Sequence, residues 1–338
     1  MSTLTHAYSN RLIAEGWELT EPTHQLEHQV VDIETDDGPL KLGVGVVDAR
    51  DATANGPEGP TFLFSFGYYD NSAEPVATQT PHAVAEELGA RIIMVDNIGF
   101  GEASAPLDHH FYRRLLLGDF GPTARVALQA IAKTGLLHDG DEVGLMGNSM
   151  GNQTISAMAE ILQNPDNLPG VPRLRINGTY IIEPTSARNL WQLHLDISRD
   201  NKDGLPYYQN LNRATPWLAE PPELRNPQAD KVLKRKQLLA SGAYAIAISR
   251  APHPASRLAK AIRQDRQDGA TGISEGEHTI IFGGQSRIAP KAVTTRALHE
   301  IQRELHEIGY AVTQELPGEN HHFWVATLIG TAAIRGIR

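Results

Sequence analysis

Short apolar runs alternate with helical patterns along most of the chain, and this alternation constrains the fold more than any other feature. Six runs predict buried strands, at TFLFSF (61–66), ARIIMVD (90–96), EVGLMG (142–147), LRINGTYIIEP (174–184), HTIIFGG (278–284) and YAVTQEL (310–316). Residues 29–49 predict two further strands that turn at Asp36-Asp37-Gly38. Because successive parallel strands need helical crossovers, the pattern predicts an α/β fold with a mostly parallel sheet and helices on both faces.

Residues 185–276 interrupt this alternation, since they contain no convincing strand pattern and are punctuated by proline. We interpret them as a helical cap inserted above the sheet. The predicted core therefore comprises residues 1–184 and 278–338, and the predicted cap comprises residues 185–277. Four aromatic residues of this segment predict an apolar, aromatic roof, namely Trp191, Tyr207, Tyr208 and Trp217.

Composition and charge exclude several classes of function. The 338-residue chain has no cysteine, which rules out disulfides, thiolate catalysis and cysteine metal sites. Its formal net charge of −10 disfavours nonspecific nucleic-acid binding. No run approaches the roughly 18 apolar residues of a membrane span, and the start MSTLTHAYSN does not resemble a signal peptide. We therefore expect a cytoplasmic protein that acts on a small molecule, with no membrane or nucleic-acid partner and no cofactor. No pattern predicts its oligomeric state.

One local bias interrupts the acidic average. Residues 231–266 contain nine Lys or Arg and a single acid, Asp265. Two interpretations fit this bias: a solvated helical face, or a surface that meets an anionic substrate or an acidic partner.

The segment GNSMG (147–151) carries the clearest sign of chemistry. It matches G-x-S-x-G, an apolar strand pattern precedes it, and the helical pattern NQTISAMAEIL follows it. Gly147 and Gly151 leave room for a sharp turn that lifts the Ser149 hydroxyl above the sheet. The N–H of Met150 then lies beside that hydroxyl, at the positive end of a helix. This context predicts that Ser149 is a nucleophile.

Three further segments make the chain resemble the α/β-hydrolase superfamily. Phe66-Gly67 ends the third core strand, where the family usually has His-Gly and an oxyanion loop. DNIGFGEAS (96–104) resembles the family's D-x-x-G-x-G-x-S turn, and LPGENH (316–321) resembles its late strand–loop–histidine. The resemblance covers roughly residues 29–184 and 278–338, and it implies a mostly parallel α/β-hydrolase sheet, a helical cap and a Ser–acid–His triad.

The resemblance assigns the base to one of two adjacent histidines. The loop after the last strand places it at His321, which we favour, while His322 is followed by Phe and also resembles a family pattern. The acid is absent from its usual place, since Ser286 stands where the family has Asp after the seventh strand. Some members take the acid from the end of the sixth strand, where this chain has Glu183. Glu183 is therefore the candidate that orients His321, and the alternative is a degenerate triad.

Backbone N–H groups of Tyr68 and Met150 are the implied oxyanion donors, because they follow Gly67 and the nucleophile. The loop FGYYDN that contains Tyr68 is bulky and polar for a site that must admit substrate. Either its two tyrosines pack under the cap, or one of their hydroxyls binds substrate. The candidate substrate-binding residues are Gly67, Tyr69 and Trp191.

These residues predict a serine hydrolase that cleaves an ester, thioester or amide through an acyl-enzyme, with carboxylic esters favoured. Two alternatives stay open. One is a carbon–carbon bond hydrolase of the meta-cleavage product type, because GNSMG resembles the serine motif of those enzymes. The other is a non-catalytic relative that acts as a binding protein. We predict no metal site. HQLEH (24–28) matches H-x-x-E-H, but a strand pattern follows it, whereas zinc requires both imidazoles on one helix face.

Overall fold

The structure is a computed structural model, and it describes residues 4–35, 38–53, 56–57, 59–67, 70–101, 109–164, 166, 168–185, 190–218, 240 and 242–336. Eight strands form one sheet within these residues. They are β1 (Glu27–Thr35), β2 (Gly38–Asp48), β3 (Thr61–Ser65), β4 (Arg91–Val95), β5 (Glu142–Asn148), β6 (Arg175–Ile182), β7 (Glu277–Gly283) and β8 (Tyr310–Leu316). A separate short ladder pairs Ala52–Thr53 with Gly56–Pro57.

The strand order in the sheet is β1-β2-β4-β3-β5-β6-β7-β8. Strand β2 runs antiparallel to β1 and β4, whereas β3 to β8 pair in parallel with their neighbours. The predicted mostly parallel sheet is therefore confirmed. The chain moves from β3 to β4 on one side and then places β5 on the other side of β3. At such a reversal, open α/β sheets form a ligand-binding crevice outside the carboxyl ends of the strands.

Helices cover both faces of this sheet, as predicted. They are α1 (Ala7–Ala14), α2 (Pro75–Leu88), α3 (His109–Leu116), α4 (Gly121–Lys133), α5 (Gly151–Leu162), α6 (Leu190–Arg213), α7 (242–250), α8 (Pro254–Asp268), α9 (Lys291–Gln302) and α10 (Thr327–Arg335). Side chains alternate along the strands, so Leu145 of β5 joins the core under α4, α5, α8 and α9, while Met146 joins the core under α1, α2 and α10. Of the helices described, none combines the length and the apolar character that crossing a membrane requires.

The described roof over the carboxyl end of β5 consists of α6 and α7. Ile197 of α6 and Ile248 of α7 line one cavity together with the residue that follows β5. The predicted cap also included residues 254–268, but α8 instead packs against α5 and α9 and buries Leu258 and Ile262 in the core beneath them. Helix α8 thus belongs to the helical layer that covers the sheet and not to the cap. The prolines of the sequence do not indicate this placement.

Gly151, the first residue of α5, is expected to be essential for stability. A Cβ there would lie 2.1 Å from the carbonyl oxygen of Ser65 and 2.6 Å from that of Phe66, at the end of β3. Backbone atoms cannot move aside as a flexible side chain can, so Gly151→Ala is expected to lower the free energy of unfolding by roughly 3 kcal/mol. Urea unfolding followed by circular dichroism measures this loss. Gly242→Ala in α7 is the control, since no atom of the described residues beyond its chain neighbours and its own helix backbone lies within 4 Å of its Cβ position. Equal stability of the two variants would contradict the packing described here.

Candidate active site

Ser149 lies in the turn that joins β5 to α5. Its φ is 51°, in the left-handed region that non-glycine residues rarely adopt. The flanking glycines permit this turn because a Cβ on Gly147 would lie 2.9 Å from the backbone of Gly151, which itself packs against β3. The Ser149 N–H donates to the carbonyl of Ile182 at 2.8 Å, which ties the turn to the end of β6. The hydroxyl therefore points away from the sheet on a turn that the surrounding backbone enforces.

Glu183 occupies the equivalent position at the end of β6. Asn148 and Ile182, the last residues of β5 and β6, are partners in the strand register, so Ser149 and Glu183 leave neighbouring strands side by side. The φ of Glu183 is also 51°, and its N–H donates to the carbonyl of Ile281 at 2.7 Å. Such a backbone costs of order 1–3 kcal/mol and persists where the surrounding structure holds it, often at functional sites.

His321 connects these two residues. Its Nε2 lies 3.0 Å from the Oγ of Ser149, and its Nδ1 lies 2.9 Å from an Oε2 of Glu183. The Glu183 side chain is fully buried, and His321 is 8% exposed. A carboxylate that accepts from Nδ1–H leaves Nε2 free to accept the serine proton, which is the tautomer that a general base requires. The structure thus brings together the three residues that the sequence analysis proposed from separate segments.

His322 lines the same cavity but makes none of the described hydrogen bonds with Ser149. Its ring lies nearly perpendicular to that of His321, with the ring centres 5.2 Å apart, and its Nε2 has no hydrogen-bond partner among the described residues. Burial, reinforced by the neighbouring His321, lowers the pKa of His322 to about 3. An imidazole with so low a pKa binds a proton weakly, which argues against His322 as the base. The hydrogen bond to Ser149 favours His321.

Ser286 stands where an aspartate was expected, and the structure gives it a different role. Its Oγ donates to Oε2 of Glu183 at 2.7 Å, and the N–H of Gly283 donates to Oε1 of the same carboxylate. Ser286 Oγ in turn accepts from the N–H of Ala289 at 3.0 Å. The loop after β7 therefore supplies hydrogen-bond donors to the carboxylate that β6 supplies, and Ser286 positions Glu183.

The Ser286→Ala variant is expected to lower kcat by about tenfold while KM changes little, because one hydrogen bond to the buried charge is lost while two others hold Glu183. Steady-state kinetics on an ester substrate measures both constants. Ser249→Ala is the control, because its hydroxyl donates only to the carbonyl of Ile246 one turn earlier in α7. The positioning role fails if both variants retain the wild-type kcat.

Of the two candidate oxyanion donors, the structure describes Met150, at the amino end of α5. No described backbone carbonyl accepts from the Met150 N–H, which leaves it available beside Ser149 at the amino end of α5. Tyr68, the second candidate donor, and Tyr69 lie outside the described residues. The loop that leads to them is held by the buried Asn97, whose Nδ2 donates to the carbonyl of Phe66 at 2.9 Å. Asn97 belongs to the segment 96–104, of which residues 102–104 lie outside the described part.

A cavity of about 460 Å³ opens above Ser149. Gly67, a candidate substrate-binding residue, lines it. Its apolar wall is formed by residues of α6, α7 and the loops after β7 and β8, namely Leu193, Ile197, Ala245, Ile248, Ile288, Trp324 and Val325. Polar side chains of α6 complete the lining at His194, Ser198 and Asn201.

The predicted aromatic roof is not what covers this cavity. Trp191 is 70% exposed and is not among the described residues that line the cavity, so its contact with substrate stays a prediction. The Tyr208 hydroxyl donates to the buried Glu319, and the Tyr207 ring stacks on His6 with centres 3.6 Å apart. Trp217 lines a different surface depression. Trp191, Tyr207 and Tyr208 belong to α6, whose orientation directs their rings away from the cavity.

Two cavity residues were missed by sequence reasoning. Thr185 Oγ1 lies 3.3 Å from the Oγ of Ser149, so Ser149 contacts a hydroxyl as well as the imidazole of His321. Asp70 lines the same cavity, next to Gly67. Thr185 carries no signal beyond its place after Glu183-Pro184. Asp70 falls within the loop FGYYDN, in which only the tyrosines are assigned a possible role from the sequence.

The described basic residues of the segment 231–266 do not line the cavity. Arg257 and Lys260 of α8 pair with Glu160 at 3.4 and 2.9 Å, and Arg263 pairs with Glu304 at 2.6 Å. These residues form an ion-paired helical face. The four basic residues at 231–236 lie outside the described residues.

Comparisons with known proteins agree with the fold described above. A family described as "Alpha/beta hydrolase family" matches residues 66–327. No curated protein matches the sequence. Among solved structures, an esterase (EaEST) from Exiguobacterium antarcticum is similar with a TM-score of 0.51 and 14% identity, over 91% of this chain and 99% of that one. A bromoperoxidase from Bacillus anthracis is similar with a TM-score of 0.49 and 14% identity, over 91% and 99%. At such identities, these likenesses describe the fold alone.

Proposed function

Since the chain belongs to the α/β-hydrolase family, we propose that it is a serine hydrolase that cleaves a carboxylic ester, or a related thioester or amide, through an acyl-enzyme on Ser149. The observation that carries this proposal is the hydrogen-bonded series from Ser149 Oγ to His321 Nε2 and from His321 Nδ1 to Glu183. Because a serine alcohol is a weak nucleophile at neutral pH, it needs such a base and a group that orients the base. The chain's lack of cysteine suits a reducing compartment, and we place the reaction in the cytoplasm.

In the first half-reaction, Ser149 Oγ attacks the carbonyl carbon of the substrate while its proton passes to His321 Nε2. The carbonyl oxygen becomes an oxyanion, which accepts from the Met150 N–H and, in our proposal, from Tyr68. Glu183 stabilises the imidazolium that forms on His321. The tetrahedral intermediate then collapses, the bond to the leaving group breaks, and the leaving group takes the proton from His321.

In the second half-reaction, water attacks the acyl-enzyme. His321 takes a proton from that water and returns it to Ser149 Oγ when the acid product leaves. The carbonyl oxygen accepts hydrogen bonds from the same donors in both half-reactions. The cavity above Ser149 provides the space for the acyl or leaving group, since it is lined by apolar residues of α6 and α7.

The complete series of hydrogen bonds argues against a protein that only binds ligands. A binding protein has no need to keep Ser149 and Glu183 in left-handed backbone conformations or to bury a carboxylate against His321. These features therefore favour a catalyst over a binding protein, with an acyl-enzyme on Ser149 as the intermediate.

Labelling with a fluorophosphonate probe tests the proposal. The probe forms a phosphonyl ester with an activated serine, so peptide mass spectrometry is expected to find the adduct on Ser149 and on no other serine. The His321→Ala variant, folded as judged by circular dichroism, is expected to label far more slowly. Absence of an adduct on Ser149 in folded wild-type protein contradicts the proposal.

A further inference from the structure

An acidic side chain stands in the cavity of the proposed nucleophile. Asp70 lines this cavity together with Gly67, Asn148 and Ser149. Its Oδ2 lies 3.2 Å from the point that a Cβ of Gly67 would occupy, and the Nδ2 of Asn148 lies 3.4 Å from the same point. The Asp70 carboxyl group is therefore beside Gly67 and Asn148. Gly67 precedes the proposed oxyanion donor Tyr68, and Asn148 precedes the proposed nucleophile Ser149.

No described residue neutralises Asp70. It has no hydrogen bond or ion pair with any described side chain or backbone N–H. The lining of the cavity contains no Lys or Arg among the described residues, and its three histidines are His194, His321 and His322. Burial raises the pKa of the Asp70 carboxyl to about 7, and the negative charge of Glu74 acts in the same direction. The described residues thus leave the carboxylate poorly stabilised, and a cation brought into the cavity by a ligand would stabilise it.

The location of this charge has a consequence for the reaction. Acyl transfer builds a negative charge on the carbonyl oxygen in the oxyanion site, and by Coulomb's law an adjacent carboxylate opposes it. A neutral substrate leaves that repulsion in place. A substrate that carries a positive charge next to its carbonyl cancels the repulsion between Asp70 and the oxyanion. The same charged group also donates a charge-assisted hydrogen bond to Asp70.

We propose that Asp70 binds an ammonium group of the substrate and thereby selects acyl groups that carry an amine close to the scissile carbonyl. This inference rests on the proposed serine hydrolase and names its substrate class. No described basic residue of the stretch 231–266 lines the cavity, and Arg257, Lys260 and Arg263 pair with Glu160 and Glu304 outside it. These cations therefore do not prepare the site for an anion.

Two 4-nitrophenyl esters of nearly equal shape test the proposal, the 3-aminopropanoyl and the butanoyl ester, which differ by an ammonium in place of a methyl group. Each kcat/KM is divided by the rate of spontaneous hydrolysis of the same ester. The wild type is expected to prefer the ammonium ester by at least about tenfold, and Asp70→Asn is expected to lose most of this preference, because the amide keeps the shape and removes the charge.

The matched control removes a charge far from the cavity. Asp51 is exposed and follows the carboxyl end of β2, which runs antiparallel to its neighbour β4 and so ends at the opposite edge of the sheet from Ser149. Asp51→Asn is expected to keep the wild-type preference. A competition experiment on unaltered protein needs no variant: propylammonium is expected to inhibit turnover of the butanoyl ester at a concentration at least about tenfold below that of 1-propanol.

The outcomes separate this inference from the function on which it rests. Turnover of both esters without a preference, an equal preference in Asp70→Asn, or equal inhibition by propylammonium and 1-propanol overturns the role of Asp70 and leaves the hydrolase intact. Failure to turn over either ester, together with no fluorophosphonate adduct on Ser149, overturns the hydrolase itself.

Discussion

The Ser149→Ala variant is expected to lower kcat/KM for the hydrolysed ester by about 10⁴- to 10⁶-fold, because the attacking atom is removed and no covalent intermediate can form. The oxyanion donors and the cavity remain, so the residual rate is expected to stay above that of the uncatalysed reaction. Steady-state kinetics with a chromogenic ester measures the loss, and circular dichroism verifies the fold.

A matched serine in the next helix provides the control. Ser156 is buried in α5, and its Oγ has no hydrogen-bond partner among the described residues. Ser156→Ala is therefore expected to fold and to hydrolyse the ester at the wild-type rate, since no satisfied polar contact is lost. If Ser149→Ala keeps more than about one-tenth of the wild-type kcat/KM, Ser149 is not the nucleophile.

The Glu183→Gln variant is expected to lower kcat by about 10³- to 10⁴-fold with a small effect on KM, as loss of the carboxylate does in other triads. The amide retains the size of the side chain but removes the charge that stabilises the His321 cation. Its NH₂ group also donates to Nδ1, which places the imidazole proton on Nε2 and so prevents that atom from accepting the serine proton. The measurement is the kcat of the same ester over a range of pH.

The control for Glu183→Gln removes a carboxylate from an exposed ion pair. Glu304 pairs with Arg263 at the surface, away from the cavity, and such pairs contribute little to stability. Glu304→Gln is expected to keep the wild-type kcat. A Glu183→Gln protein with kcat within about threefold of the wild type removes Glu183 from the triad.

Much of the sheet could be predicted because its signals are local. Apolar runs such as TFLFSF and ARIIMVD fill strands that are buried on both faces, so composition alone marks β3 and β4. The turn around Ser149 could be predicted for a similar reason. Its two glycines are required by close backbone contacts within a few residues and with β3, and this requirement leaves a visible spacing in the sequence.

The proposed acid was harder to identify because its contacts span distant segments. Glu183 meets His321 across 138 positions and Ser286 across 103. The sequence indicated only that the usual aspartate was replaced by Ser286 and that a carboxylate followed β6. What it did not indicate is that Ser286 donates to that carboxylate, because the relation depends on the pairing of β6 with β7 and not on any local pattern.

The roof could not be predicted from its residue types. Trp191 and Tyr208 are similar in character, yet one is exposed and the other is fully buried against Glu319. The difference arises from the rotation of α6 about its axis, which tertiary contacts determine. Asp70 could not be identified from the sequence for a related reason. A single carboxylate in a polar loop becomes a candidate binding group only when the structure places it in the cavity without a partner cation among the described residues.

The central claim is an acyl-enzyme on Ser149, and rapid quenching tests it most directly. The protein is mixed with an ester that it hydrolyses, quenched in acid within one turnover, digested and analysed by mass spectrometry. Our account predicts the acyl mass on the peptide that contains Ser149, appearing before steady state and absent from Ser149→Ala. Turnover that proceeds with no acyl group on Ser149, or with the group on another residue, would contradict it.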